Sequence, residues 1–279
     1  MLLLKAKPLL EKRNAEQIAR AESLAKKLGR PVHLAVVLVG EDSASKIYVS
    51  HKEKACKKIG IKSSVYKFAS DIRVEEVYQK VCELNDESSV DGILIQQPLP
   101  KQFNSLPITQ WVDPKKDVDC FHPENVGLLT TGVPRFYPCT PKAVIDLLDF
   151  YQIEISGKIV CVVGRSLIVG KPLGTLLIDR DATLIQCHSK TPNVPDLAKR
   201  ADIVVSAVGK AKLVTAEWLK QGCSVVDVGI NRREDASLCG DVDFDDVRSK
   251  VGAITPVPGG VGPLTISTLL GNTLLAAEL

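Results

Sequence analysis

The apolar positions of this chain fall into short, nearly continuous runs, separated by longer stretches in which they recur every three or four residues. The run Val32 to Val39, ended by Gly40, has the length and β-branched content of a strand buried on both faces. Ahead of it, about Glu11 to Leu28 reads as a polar helix; behind it, about Ala44 to Ile59 reads as a second helix stopped by Gly60. Ser64 to Phe68, a helix over about Val74 to Leu84 and a short buried strand, Gly92 to Ile95, continue the alternation. Repeated β-α-β order predicts a parallel sheet with helices on both faces.

Between Pro98 and Pro141 eight prolines break the rhythm, and this stretch reads as loops with one or two short helices over the sheet edge. A helix from about Pro141 to Tyr151 leads to a second unit, with strands expected at 159–163, 182–187, 202–206, 224–228 and 251–254. Its first strand stops at Gly164, which permits close backbone approach, and a helix restarts where Gly170 can pack near the strand and Pro172 suits a first turn. The free N–H groups of that helix face whatever anion sits at the turn. The spacing is not G-x-G-x-x-G, so the pattern alone fits a nucleotide site and a plain tight turn equally. Leu264 to Leu279 is an apolar helix with no strand after it; it needs a buried place, and the glycine-rich Pro256 to Pro263 crossing is expected to return it to the first domain. The expected division is a domain of residues 1–140 completed by 263–279, and a Rossmann-like domain of residues 141–262.

Composition narrows the function. A chain of 279 residues is long for one core. The net charge of +3 is too small to argue for nucleic acid, and no Lys/Arg cluster alternates with aromatics; small anionic ligands suit it better. The eight cysteines are scattered without a C-x-x-C pair, several inside apolar runs, which reads as reduced, mostly buried thiols in a cytoplasmic protein. The opening apolar stretch is too short for a signal-peptide core and nothing later approaches a membrane span. His33, His51, His122 and His188 are far apart, so no metal is expected.

Polar side chains stand where such sheets bind ligands. Ser45, Tyr48 and Lys52 are spaced by three and four, so they share one helix face and can meet a common ligand. The same spacing fits an amphipathic helix with Lys52 merely solvated, the plainer reading from spacing alone. Gln96 directly follows the strand ending at Ile95, at a carboxyl end where open α/β sheets bind ligands, or else it caps the Pro98-Leu-Pro100 turn. Asp117-Val-Asp119 offers a carboxylate for a bidentate N–H pair, or is a solvated loop. After strand 182–187 stands His188-Ser-Lys-Thr191, where an NAD site would carry an acid for the ribose 2′-hydroxyl. Hydroxyls and a cation there, with Arg165 at the first turn, favour a 2′-phosphate and hence NADP, beside the plainer reading as a polar loop.

Over essentially its whole length the chain closely resembles the bifunctional methylenetetrahydrofolate dehydrogenase/methenyltetrahydrofolate cyclohydrolase family. The matching stretches are Tyr48-Val-x-x-Lys52, Asp91-Gly-Ile-Leu-Ile-Gln-Gln-Pro-Leu-Pro100, Lys116-Asp-Val-Asp119, Pro138-Cys-Thr-Pro141 and Val163-Gly-Arg-Ser-Leu-Ile-Val-Gly-Lys-Pro172. His188-Ser-Lys-Thr191, Ala201-Asp-Ile-Val-Val-Ser-Ala-Val-Gly209, Asp227-Val-Gly-Ile230, Gly240-Asp-Val-Asp243 and Pro258-Gly-Gly-Val-Gly-Pro263 follow in the same order. The resemblance implies oxidation of 5,10-methylenetetrahydrofolate with NADP and hydrolysis of the product to 10-formyltetrahydrofolate, in a homodimer, in a cleft between the two domains. It implies Lys52 as the central catalytic group, Gln96 as the group that tunes it, and Tyr48 as positioning folate and lysine. Asp119 would grip the pterin, Ser45 and the Pro258, Gly259, Gly260 and Val261 loop would border folate, and Gly164, Arg165, Ser166, Ser189 and Ile230 would meet the cofactor.

The family usually has glycine after the second aspartate of Asp-Val-Asp, and here Cys120 stands there. If that position needs positive φ, the loop holding Asp119 is strained and folate binds more weakly. Three rival readings remain: a dehydrogenase of the same fold for another small substrate, a monofunctional methylenetetrahydrofolate dehydrogenase, and an idle NADP-binding protein. The first-domain matches around Tyr48, Lys52, Gln96 and Asp119 weigh against each.

Overall fold

A computed structural model describes residues 1–233 and 237–279, with the backbone alone at Ser43 and Ala44. In chain order, β1 (Leu2–Leu3) and α1 (Lys7–Leu28) precede β2 (His33–Val39), α2 (Ser43–Ile59), β3 (Lys62–Phe68), α3 (Val74–Asp86) and β4 (Gly92–Ile95). The proline-rich stretch holds two short 3-10 turns and α4 (Pro123–Thr130). Then come α5 (Cys139–Phe150), β5 (Ile159–Val163), α6 (Gly170–Ile178), β6 (Thr183–Cys187), α7 (Val194–Ala198), β7 (Ile203–Ser206) and β8 (Ser224–Asp227). An antiparallel pair, β9 (Asn231–Arg232) and β10 (Leu238–Cys239), precedes α8 (Phe244–Val247), β11 (Ala253–Ile254) and α9 (Val261–Ala276). No helix among the described residues is long and apolar enough to cross a membrane.

The chain divides into two compact units, one of residues 12–137 with 266–279, the other of residues 1–11 with 138–265. The first is built on a parallel sheet in the order β3-β2-β4. All seven residues of β2 are buried, which is why its sequence is apolar without alternation. Val37, Val39, Val77, Val81, Ile93 and Phe103 pack on one side of the sheet. Helix α2 is bounded by Asp42, whose side chain accepts from the Ser45 amide, and by Gly60 at φ 84°. Beyond β4 the chain doubles back beside it: the Ile93 amide donates to the Lys116 carbonyl at 2.8 Å, and Asp117 bridges to Ile93. The Lys116 ammonium donates to the carbonyls of Leu84, Asn85 and Glu87, where the end of α3 concentrates negative charge.

Helix α9 explains its own composition by burial of Leu269, Leu270, Thr273 and Leu274. Its one carboxamide, Asn272, donates to the carbonyls of Val118 and Tyr137, both at 2.8 Å, and so ties the end of the chain to the Asp117–Asp119 loop.

The second unit is a fully parallel sheet in the order β1-β11-β8-β7-β5-β6. The expected assignment of residues 1–140 to the first domain needs correction at its start. Leu2 and Leu3 pair with Ala253 and Ile254, and the Leu2 amide donates to the Gly252 carbonyl at 2.7 Å. A two-residue edge strand carries too little periodicity to register in the sequence, whereas its backbone hydrogen bonds fix it to the sheet.

Replacing Asn272 by leucine removes the donor shared by two carbonyls. We expect a loss of about 1–3 kcal/mol of stability, read as a lower midpoint in urea; an unchanged midpoint would show that this bridge is dispensable.

Candidate functional site

Helix α2 presents Ser45, Tyr48 and Lys52 on one face, and β4 delivers Gln96 to the same place. The Gln96 amide still donates to the Val37 carbonyl at 2.9 Å, so the sheet fixes the backbone from which its side chain leaves. The Lys52 ammonium donates to Gln96 Oε1 at 2.7 Å, and Gln96 Nε2 donates to the Gln97 carbonyl at 2.5 Å. Ser45 Oγ reaches the same carbonyl at 3.5 Å. Spacing alone favoured a solvated lysine; instead Lys52 is 8% exposed, because the strand end and the turn after it cover that helix face. The alternative of Gln96 as a turn cap is half met, since its Nε2 bonds the turn while its oxygen accepts from Lys52. Burial pushes the Tyr48 phenol above its ordinary range, so it keeps its proton and remains a donor at neutral pH.

The two acids of Asp117-Val-Asp119 have different surroundings. Asp117 is buried and accepts from the Phe121 and His122 amides at 3.2 and 2.8 Å and from Asn125 Nδ2 at 2.8 Å. It therefore builds the loop, and burial raises its pKa against those bonds. Asp119 is half-buried and lies between the Val118 carbonyl held by Asn272 and Cys120. Cys120 has φ 63°, the left-handed conformation that glycine adopts without cost. Its thiol is buried and donates to the Phe136 carbonyl at 3.2 Å, and burial raises its pKa well above the usual thiol range. A thiol so placed is a poor target for oxidation.

In the other unit the residues expected to meet the cofactor follow strands β5, β6 and β8 of the parallel sheet. A Cβ on Gly164 would lie 2.4 Å from the Ala207 carbonyl oxygen, and one on Gly170 would lie 2.3 Å from the Gly164 oxygen. Strand, turn and helix approach as closely as backbone allows, a cradle of the kind that receives a pyrophosphate. Ser166 Oγ accepts from the Val169 and Gly170 amides at 3.1 and 3.3 Å and so caps the start of α6. Arg165 is exposed beside it. After β6, Thr191 Oγ1 accepts from the His188 amide at 3.0 Å and His188 Nδ1 from the Lys190 amide at 3.2 Å, leaving Ser189 and Lys190 exposed at the tip. No carboxylate stands among His188 to Thr191, so these residues fit a nucleotide with a 2′-phosphate. Ile230, after β8, is exposed as well.

Pro258 and Gly259 are exposed, Gly259 at φ 103°, and the Gly259 carbonyl accepts from the Ala6 amide at 2.9 Å. Gly260 and Val261 are buried where α9 begins. Lys52, Tyr48, Ser45, Gln96 and Asp119 belong to one unit, whereas Gly164, Arg165, Ser166, Ser189, Ile230 and Pro258 to Val261 belong to the other. Sequence reasoning assigned no role to Asp227 and Asp241, both buried. The available signal was an acid closing a buried strand, with Gly229 two residues on, and a second acid directly after Gly240.

Residues 4–119 match the family model of the tetrahydrofolate dehydrogenase/cyclohydrolase catalytic domain, and residues 138–279 match the NAD(P)-binding domain of the same family. A relative from Methanoculleus marisnigri, described as bifunctional protein FolD, is 52% identical over 246 residues, 88% of this chain and 87% of its own length. A crystal structure of the bifunctional FolD enzyme from Campylobacter jejuni superposes with a TM-score of 0.95 at 44% identity, covering 100% of this chain and 99% of that one. The Trypanosoma brucei dehydrogenase-cyclohydrolase, solved with NADP and an inhibitor, superposes with a TM-score of 0.95 at 36% identity, covering 100% and 97%.

The left-handed backbone at Cys120 reverses the usual order of small substitutions. Cys120→Gly should be more stable than Cys120→Ala by about 1 kcal/mol, measured by chemical denaturation of both variants. A more stable alanine variant would show that the position carries no strain, and an unchanged folate KM in Cys120→Gly would show that the strain does not reach Asp119.

Proposed function

Since the chain belongs to the tetrahydrofolate dehydrogenase/cyclohydrolase family, we infer that its two reactions make different demands on its residues, with Lys52 serving the hydrolytic one. The enzyme oxidises 5,10-methylenetetrahydrofolate to 5,10-methenyltetrahydrofolate with NADP and hydrolyses that product to 10-formyltetrahydrofolate. The observation that carries the division is the buried Lys52–Gln96 hydrogen bond of 2.7 Å at the carboxyl end of β4.

Oxidation leaves a cationic folate. A lysine beside that cation has its proton affinity lowered, because like charges disfavour one another. Lys52 in its neutral form accepts a proton from water as the water oxygen bonds to the methenyl carbon; the carbon–N5 bond of that adduct then breaks as its hydroxyl releases a proton to solvent and N5 takes the proton held by Lys52, which leaves the formyl group on N10 and an N–H at N5. Gln96 holds the lysine nitrogen through its oxygen, and Tyr48, one helical turn away with its proton retained, positions lysine and folate. Asp119 accepts from the N–H pair of the pterin in bidentate fashion, with Ser45 and the Pro258 to Val261 loop as further folate contacts.

NADP, when bound, supplies the hydride acceptor for the first reaction. Gly164, Arg165 and Ser166, with Ser189 and Ile230, would hold it; the Gly164–Gly170 cradle and the acid-free end of β6 support that assignment. The same reading takes the unit of residues 12–137 with 266–279 as the folate domain and residues 138–265 as the NADP domain. It takes the protein as a cytoplasmic homodimer that supplies one-carbon units for purine biosynthesis, with no nucleic-acid or membrane partner. The eight free cysteines, seven of them buried, support a reducing compartment.

Lys52→Met should lower cyclohydrolase turnover by about a hundredfold or more while sparing more of the dehydrogenase step, measured in separate spectrophotometric assays. Equal loss of both with folate binding intact would overturn the division. In the wild type, parallel assays with NADP and NAD should favour NADP, and absence of NADPH formation would refute the function itself.

A further inference from the structure

The two buried acids that neither reaction uses, Asp227 and Asp241, sit where β7 and β8, neighbours in the sheet, both end. Asp241 Oδ2 accepts from the Val208 amide at 2.8 Å, the Gly209 amide at 3.2 Å and Ser206 Oγ at 3.2 Å. Its Oδ1 accepts from the Lys210 amide at 2.9 Å and Asn231 Nδ2 at 3.0 Å. Three consecutive amides wrapped around one carboxylate form the kind of backbone nest that elsewhere binds a free anion; here the anion comes from the chain itself. Asp227 in turn accepts from the amides of Gly229, Asp241 and Val242, at 3.0, 3.0 and 2.9 Å. One acid thus fixes the backbone of the other, and the second fixes the turn after β7 and, through Asn231, the turn after β8.

The backbone is cut away to admit both carboxylates. A Cβ on Gly229 would lie 2.1 Å from Asp241 Cγ, and one on Gly240 would lie 1.8 Å from Asp227 Oδ2. Burial pushes Asp227 up to about 6, against its three N–H bonds and with the Asp241 charge adding to the rise. An apolar pair of similar volume would often serve stability as well or better. What the acids supply is direction, and the segments they direct carry the exposed apolar side chains of Val208 (38%) and Ile230 (40%) at the sheet's carboxyl edge. Ile230 lies between Gly229, bonded to Asp227, and Asn231, bonded to Asp241.

We propose that Asp227 and Asp241 are positioning residues for the cofactor, setting the turns 207–210 and 228–231 so that Val208 and Ile230 receive a flat heteroaromatic ring of NADP. This rests on the assignment of NADP to this unit. In Asp241→Asn the shape persists, but an NH2 group replaces an oxygen that faces amide donors. Calorimetric titration of NADP into the full-length protein should show about tenfold or weaker binding for Asp241→Asn and about threefold weaker binding for Asn231→Ala. The dehydrogenase KM for NADP should rise in step, with kcat at saturating NADP held within about twofold. Affinities within about twofold of wild type in folded Asp241→Asn and Asn231→Ala would overturn the proposal. So would a parallel loss of NADP binding and of methenyltetrahydrofolate hydrolysis in proportion to the unfolded fraction, which is the mark of a purely structural role. If Asp241→Asn does not fold, Asn231→Ala decides. A wild-type protein that binds no NADP would refute the cofactor assignment itself.

Discussion

In a parallel sheet every strand ends at the same edge, and that constraint decides where each unit of this protein can present side chains to a ligand. The backbone groups of each strand are satisfied by its neighbours, so the first residues free to point elsewhere are those just past the carboxyl ends. Gln96 follows β4, Gly164 follows β5, Ser189 stands just past β6, and Ile230 stands just past β8. Lys52 obeys the same rule at one remove, since its helix α2 is the one that leaves the end of β2. These candidate residues are far apart in sequence because consecutive strands are separated by the crossovers that parallel pairing requires.

In each unit, buried polar groups fix the loops. Asp117, Asn272, Asp227 and Asp241 are buried, and each is bonded mainly to backbone. A side chain that grips main-chain amides or carbonyls fixes the course of a loop that has no ladder of its own. The residues expected to touch ligands, such as Asp119 and Ile230, then need only project from a path already set.

Most of the architecture was legible in the chain because its central strands are buried on both faces: Ile159 to Val163 and Gly92 to Ile95 have the observed bounds. The two-residue strand at Leu2 was not legible, since it is defined by backbone hydrogen bonds rather than by side-chain pattern. At the site, the shared face of Ser45, Tyr48 and Lys52 followed from helical spacing, but the burial of Lys52 did not, because the covering strand end lies more than forty residues away. The contrast between Asp117 and Asp119 was equally hidden. Two acids two residues apart look alike in sequence, and only the donors around Asp117 separate a builder of the loop from a side chain it presents.

The bond from Asn272 to the Val118 and Tyr137 carbonyls also has a consequence for biosynthesis. A ribosome delivers the chain from its first residue, and domains that are continuous in sequence close in that order. Here residues 1–11 wait for strands more than a hundred residues later, whereas residues 12–137 wait for 266–279. The unit whose strands are translated earlier therefore closes only once residues 266–279, made after residues 138–265, are available to it. Until then the loop bearing Asp119 lacks its tie to Asn272.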